Sequence, residues 1–205
     1  MGARILMPIA CRLSPFVGTF HAVVKPSQSF DKERIVDKRL QTPTDLDKKD
    51  VTAVSEALNG VLADAFALYL KYKNFHWHLS GRRFRDLHLL FDEHAAQILG
   101  DTDVIAERVR RIGGITLRSI GQITQFQTLT DNNENFVAPQ DMVTELMADN
   151  QACVKAMRAT RKIAEEAEDV ATTSELETMI DRAENRAWFL FEIGQDFADE
   201  REAGK

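Results

Sequence analysis

From Arg82 to Ile112 the chain keeps a helical repeat without a break, and the repeat has two distinct sides. Leu87, Phe91, Ile98, Ile105 and Val109 recur at spacings of four and seven. Counted from His88 at 100° per residue, they centre at about 280°. Asp92 falls at about 40°, Asp103 at about 60° and Glu107 at about 100°, so His88 and these three carboxylates share the opposite side. One stripe must pack against other helices, and the metal-type face must then point away from that core. His88/Asp92 and Asp103/Glu107 are also fifteen residues apart, roughly 22 Å of helix axis, so no single ion touches both. A second copy of the helix, antiparallel across a two-fold axis, would bring one chain's His88/Asp92 beside the other's Asp103/Glu107. Such isologous pairing is the commonest oligomer geometry. The pattern predicts a metal site built between subunits.

The rest of the chain supplies partners for the buried stripe. Val54, Leu58, Val61, Ala65, Leu68, Tyr72 and Phe75 predict a first helix from about Lys48 to Leu79. Asn59-Gly60 is a turn signal inside it, outweighed by the continuous stripe. Ser80-Gly81 ends this helix, and Gly113-Gly114 stops the ligand-bearing one. The connection from Ile115 to Ala138 is long for a helix–helix turn, with a short helix expected within Leu117–Phe126. Pro139 suits the first turn of a third long helix, running to about Ala167. A fourth is expected to start near Thr172-Thr173-Ser174, with Glu175 or Glu177 closing a capping box. Its stripe is Leu176, Ile180, Ala183, Ala187, Leu190 and Phe197. Four such helices make an all-α four-helix bundle over residues 47–200, and the long middle connection allows a crossover between two hairpins. Residues 201–205 form a short C-terminal tail. Residues 1–46, with Pro8, Pro15, Pro26 and Pro43 and no sustained periodicity, read as a flexible N-terminal tail.

Composition narrows the function. A net charge of −6 argues against a surface that coats nucleic acid uniformly and suits one that attracts cations. Two cysteines, Cys11 and Cys153, give neither a disulfide framework nor a C-x-x-C metal site, and Cys153 reads as a buried thiol in a reducing compartment. Pro8, Arg12 and Pro15 interrupt the early apolar stretch, so a secretory signal is not expected. There is no uninterrupted apolar run of eighteen residues, so no membrane association is expected. The expected location is the cytoplasm.

The metal-type residues gain weight by conjunction. A lone helical His is usually structural, and surface carboxylates are usually only solvated. Here two i,i+4 pairs of ligand type stay in phase across three turns, and His76 stands at the end of the preceding helix. Imidazole with carboxylate suits iron, zinc or manganese, and an open mixed site fits Fe(II). A di-iron centre inside one bundle needs Glu-x-x-His pairs, and none occurs in this chain. Small residues Ala95, Ala96 and Gly100 near the middle of the helix would permit close approach of a symmetry mate.

Three segments together resemble the signature of the Dps family, the ferritin-like mini-ferritins. They are Asn74-Phe75-His76-Trp77-His78, Leu87-His88-Leu89-Leu90-Phe91-Asp92-Glu93, and Asp103-Val104-Ile105-Ala106-Glu107-Arg108 followed by Gly113-Gly114. The similarity covers about residues 50–200. It implies a twelve-subunit hollow shell that oxidises Fe(II), preferably with hydrogen peroxide, stores the ferric mineral inside and protects DNA from oxidative damage. By the same resemblance His76, His88, Asp92, Asp103 and Glu107 match the ferroxidase ligands, and Trp77 matches the tryptophan beside that centre. The acidic run Glu165, Glu166, Glu168 and Asp169 would lie near a three-fold pore through which iron enters.

His78, near a helix end, reads as solvated or capping, and His94, at about 240°, as packed or interfacial. Trp188, Phe189 and Phe191 read as core and interface aromatics. A rival reading makes the protein a nucleoid-associated, sequence-independent DNA binder acting through its N-terminal tail. Residues 1–43 carry Arg4, Arg12, Lys25, Lys32, Arg34, Lys38 and Arg39 against Asp31, Glu33 and Asp37, seven minus three or +4. Twelve such tails on one shell would add avidity to weak contacts.

Overall fold

In the computed structural model, which describes residues 37–203, five helices account for most of the chain. They are α1 (Lys48–His78), α2 (Phe84–Arg111), α3 (Ile120–Phe126), α4 (Pro139–Glu166) and α5 (Val170–Ala203). The four long ones form the ferritin-like bundle. α1 and α2 pack as one hairpin, α4 and α5 as the other, and α1 lies against α4. The crossover between the hairpins carries α3, capped by the Ser119 hydroxyl accepting from Gln122 N–H and packed on α1.

The stripes meet in one core. Leu58, Leu62, Leu68, Phe75, Leu87, Phe91, Leu146, Leu176 and Leu190 are buried, each large apolar side chain contributing roughly 1.5–3 kcal/mol by leaving water. α1 contains a window apolar enough on average to cross a membrane, yet Ser55, Asn59, Asp64 and Lys71 are buried along it within the bundle. It is the core helix. Asn59-Gly60 does not break it. Asn59 Nδ2 donates to the Ile115 carbonyl at 2.8 Å, so the polar side chain pins the crossover rather than turning the chain. Asp64 does the same lower down, accepting from the backbone N–H groups of Thr128 and Leu129 and from the Thr128 hydroxyl.

Two boundaries differ from expectation. α5 starts at Val170, two residues before the expected Thr172-Thr173-Ser174. Asp169 caps it, accepting from Thr172 N–H at 3.0 Å and from the Thr172 hydroxyl, so the Thr-Thr-Ser run lies inside the first turn and no capping box forms. At the other end, residues 37–46 are tied to the body. Lys38–Leu40 form a 3-10 turn, Arg110 donates to the Leu40 carbonyl, and Leu46 packs on the core. Arg4, Arg12, Lys25, Lys32 and Arg34 lie outside the described residues.

Gly113 sits at φ +88 where α2 stops, a conformation that L side chains rarely adopt. At Gly114 a Cβ would fall 2.0 Å from the Ser55 hydroxyl, so the pair both ends α2 and lets it approach α1.

Candidate metal centre

α1 ends and α2 begins at one corner of the hairpin, and there the structure brings His76 and His88 face to face. Their rings stack with centroids 3.7 Å apart and 18° between planes. Each ring uses Nδ1 on the other's backbone: His76 Nδ1 meets the His88 carbonyl at 2.8 Å, and His88 Nδ1 meets the His76 carbonyl at 3.0 Å. A carbonyl only accepts, so each Nδ1 carries the proton and each Nε2 keeps its lone pair for a metal. The reciprocal lock fixes tautomer and ring orientation with no further residue. Phe84, the first residue of α2, stacks on His88 with centroids 4.9 Å apart.

Asp92 lies one turn beyond His88 on the exposed face. Lys73 Nζ donates to it at 2.6 Å and lies 5.8 Å from the centre of the Trp77 ring. That ammonium holds the Asp92 carboxyl below the usual carboxylate range. Trp77 is 60% exposed beside this cluster. Asp103 and Glu107 are exposed farther along α2, and Glu107 accepts from Arg111 at 2.6 Å. Among the described residues, no three or more His, Cys, Asp or Glu side chains of one chain form a group that could hold a metal ion. On the single chain His76, at the end of α1, lies with His88 and Asp92 toward the start of α2, while Asp103 and Glu107 lie toward its other end.

The other singled-out residues separate. His78 is exposed, its Nδ1 donating to the Asn74 carbonyl at 2.8 Å, as a helix-end side chain does. His94 is buried, with Nδ1 3.2 Å from the Tyr72 hydroxyl, which also accepts from Asn150 Nδ2 at 2.7 Å. Asn150 Oδ1 in turn accepts from Arg186 Nε, completing a polar chain across the core. Burial, with the nearby Arg186 guanidinium adding to it, pulls the His94 imidazole down to about 4. Trp188, Phe189 and Phe191 are exposed on this subunit and form no part of its core. Glu165, Glu166 and Glu168 are exposed at the α4–α5 turn, but Asp169 is buried and engaged by Arg108 and Thr172. Asp169 is the cap of α5.

Lys73, Phe84 and Arg186 escape a reading by ligand type or hydrophobicity. Arg186 stands three residues after Ala183 and four before Leu190, on the apolar stripe itself, and that placement was the available signal.

Comparison with known proteins bears on the fold and the family. The ferritin-like domain family matches residues 55–198. The chain is 32% identical over 151 residues to "DNA protection during starvation protein 1" of Deinococcus radiodurans, covering 74% of this chain and 73% of that one. It is 31% identical over 137 residues to the "DNA protection during starvation protein" of Brevibacillus brevis, covering 67% and 91%. Among solved structures, DpsC from Streptomyces coelicolor superposes with a TM-score of 0.72 at 28% identity, covering 74% of this chain and 89% of that one.

Proposed function

This chain belongs to the Dps family of the ferritin-like superfamily, and from that membership we propose that it is a ferroxidase that detoxifies and stores iron. Fe(II) is the substrate, bound where His76, His88 and Asp92 of one subunit face Asp103 and Glu107 of a symmetry mate in a hollow twelve-subunit shell. The observation that carries this reading is the reciprocal His76–His88 lock, which leaves two Nε2 lone pairs beside an ionised Asp92. One imidazole half and one carboxylate half, each incomplete alone, form a mixed nitrogen–oxygen site of the kind that suits Fe(II).

The chemistry needs placement and charge from the protein. Anionic oxygens favour the higher charge of Fe(III), and so favour loss of the electron. Two Fe(II) each give one electron to hydrogen peroxide, whose O–O bond breaks; with two protons it leaves as two waters. Pairing the irons delivers both electrons to peroxide in one event and releases no hydroxyl radical. Trp77 stands beside the centre, and the exposed Glu165, Glu166 and Glu168 supply an acidic approach for incoming iron. The shell works in the cytoplasm.

The test is direct. Asp103→Ala with Glu107→Ala should abolish fast Fe(II) oxidation by peroxide while leaving native mass and helix content intact, because both residues point away from the core. His78→Ala should leave the rate nearly unchanged. An unaltered rate in the double variant would eliminate the assigned centre.

A second activity, sequence-independent DNA binding, is favoured by the basic excess of the N-terminal segment and by the DNA-protection names of the relatives. It would place some of the protein at the nucleoid.

A further inference from the structure

We propose that the last turns of α5 brace the imidazole half of the metal site, acting through Arg83 and Phe84 as positioning residues. The proposal deepens the iron-binding reading above and rests on it.

The His88 ring stacks with two others, His76 at 3.7 Å and Phe84 at 4.9 Å between centroids. Phe84 is one helical turn before His88, so the point at which α2 starts decides whether the phenyl ring lies over the imidazole. Arg83 occupies the N-cap position, after Gly81 at φ +109, and its side chain does not cap the helix. Its anchor comes from the far end of the chain. Arg83 Nη1 donates to Asp196 Oδ2 at 2.8 Å, and the guanidinium lies over the Phe197 ring, 4.3 Å from its centre. The Arg83 side chain is only 23% exposed.

A continuous run of contacts therefore leads from Asp196 and Phe197 through Arg83 and Phe84 to His88, and on to His76. The lock makes the last step obligatory, because the His76 ring is hydrogen-bonded to the backbone of His88 and moves with it. Loosening α5 at Asp196 should thus loosen both imidazoles, although α5 contributes no ligand.

Anaerobic titration of the assembled shell with Co(II), whose visible absorption reports its coordination, reads the imidazole half without any oxidation step. Partly exposed ion pairs and cation–π contacts are each worth up to about 1 kcal/mol, so Arg83→Asp or Asp196→Ala should weaken Co(II) binding about five-fold and change the band shape. Arg83→Asp combined with Asp196→Arg should recover most of the loss. Phe84→Tyr should bind like the parent and Phe84→Leu several-fold more weakly, all at unchanged native mass. Parent-like affinity and spectrum in both Arg83→Asp and Phe84→Leu would overturn the brace while leaving the metal centre standing. If His88→Ala bound Co(II) as tightly as the parent, the metal assignment itself would fail, and the brace with it.

Discussion

At single residues, burial separates the histidines. His76 and His88 sit at the rim of the bundle with one nitrogen each committed and one free, whereas His94, only six residues beyond His88, is sealed in the core. With its folded pKa near 4 against an unfolded value of about 6.5, His94 stays neutral while the unfolded chain takes up a proton. Stability is therefore lost as pH falls from about 6.5 to about 4 and becomes independent of this group below that. Up to about 3 kcal/mol is involved. Denaturant melts of His94→Gln across that window should show a shallower acid limb than the parent; an identical limb would mean that His94 is not the responsible group. Cys153 is buried too, and burial, with Asp64 and Asp149 adding to it, pushes its thiol up to about 12. Alkylation of Cys153 at neutral pH should track global unfolding rather than proceed from the native fold.

At the level of helices, most of the architecture is legible from the apolar repeat. The 3.6-residue stripes locate α1, α2 and α4 within two residues of their observed ends, because each stripe runs unbroken along its helix. What local signals misjudge is decided by distant partners. Asn59-Gly60 looks like a turn, but Asn59 is satisfied by a carbonyl fifty-six residues away. The Thr-Thr-Ser run looks like a cap, but Asp169 already caps α5 and is held there by Arg108 from α2. The ligand types and their shared face are readable from periodicity; the stacking of His76 on His88 is not, because it depends on how two helices meet. Asp64 shows how much such a distant partner is worth. Its carboxylate holds the crossover by three hydrogen bonds, so Asp64→Ala should destabilise the fold by on the order of 3 kcal/mol. Limited proteolysis should then cut near residues 127–131 before anywhere else in the bundle; equal resistance in parent and variant would refute that anchoring role.

For the whole molecule, the proposed iron and DNA roles draw on different parts of the chain. The attachment of residues 37–46 to the body means that a clean truncation removes residues 1–36, with five basic and two acidic side chains, a net +3. The remaining chain carries −9, and its shell should be repelled by DNA yet oxidise iron at the parent rate, since no proposed ligand lies in the segment removed. Gel shifts at low and moderate salt check this; DNA binding that survives both truncation and added salt would point to the shell surface instead.

The central claim is that each metal site needs two subunits, and mixed assembly tests it most directly. Shells of His88→Ala subunits and shells of Glu107→Ala subunits should each oxidise Fe(II) slowly. Dissociated, mixed and reassembled, they form hybrid interfaces in which one of the two symmetric sites holds an unaltered imidazole half and an unaltered carboxylate half. Peroxide-driven Fe(II) oxidation should recover in proportion to the hybrid interfaces. If the mixture is no faster than the two parent variants, or if an isolated monomer oxidises iron at the full rate, the shared site is wrong.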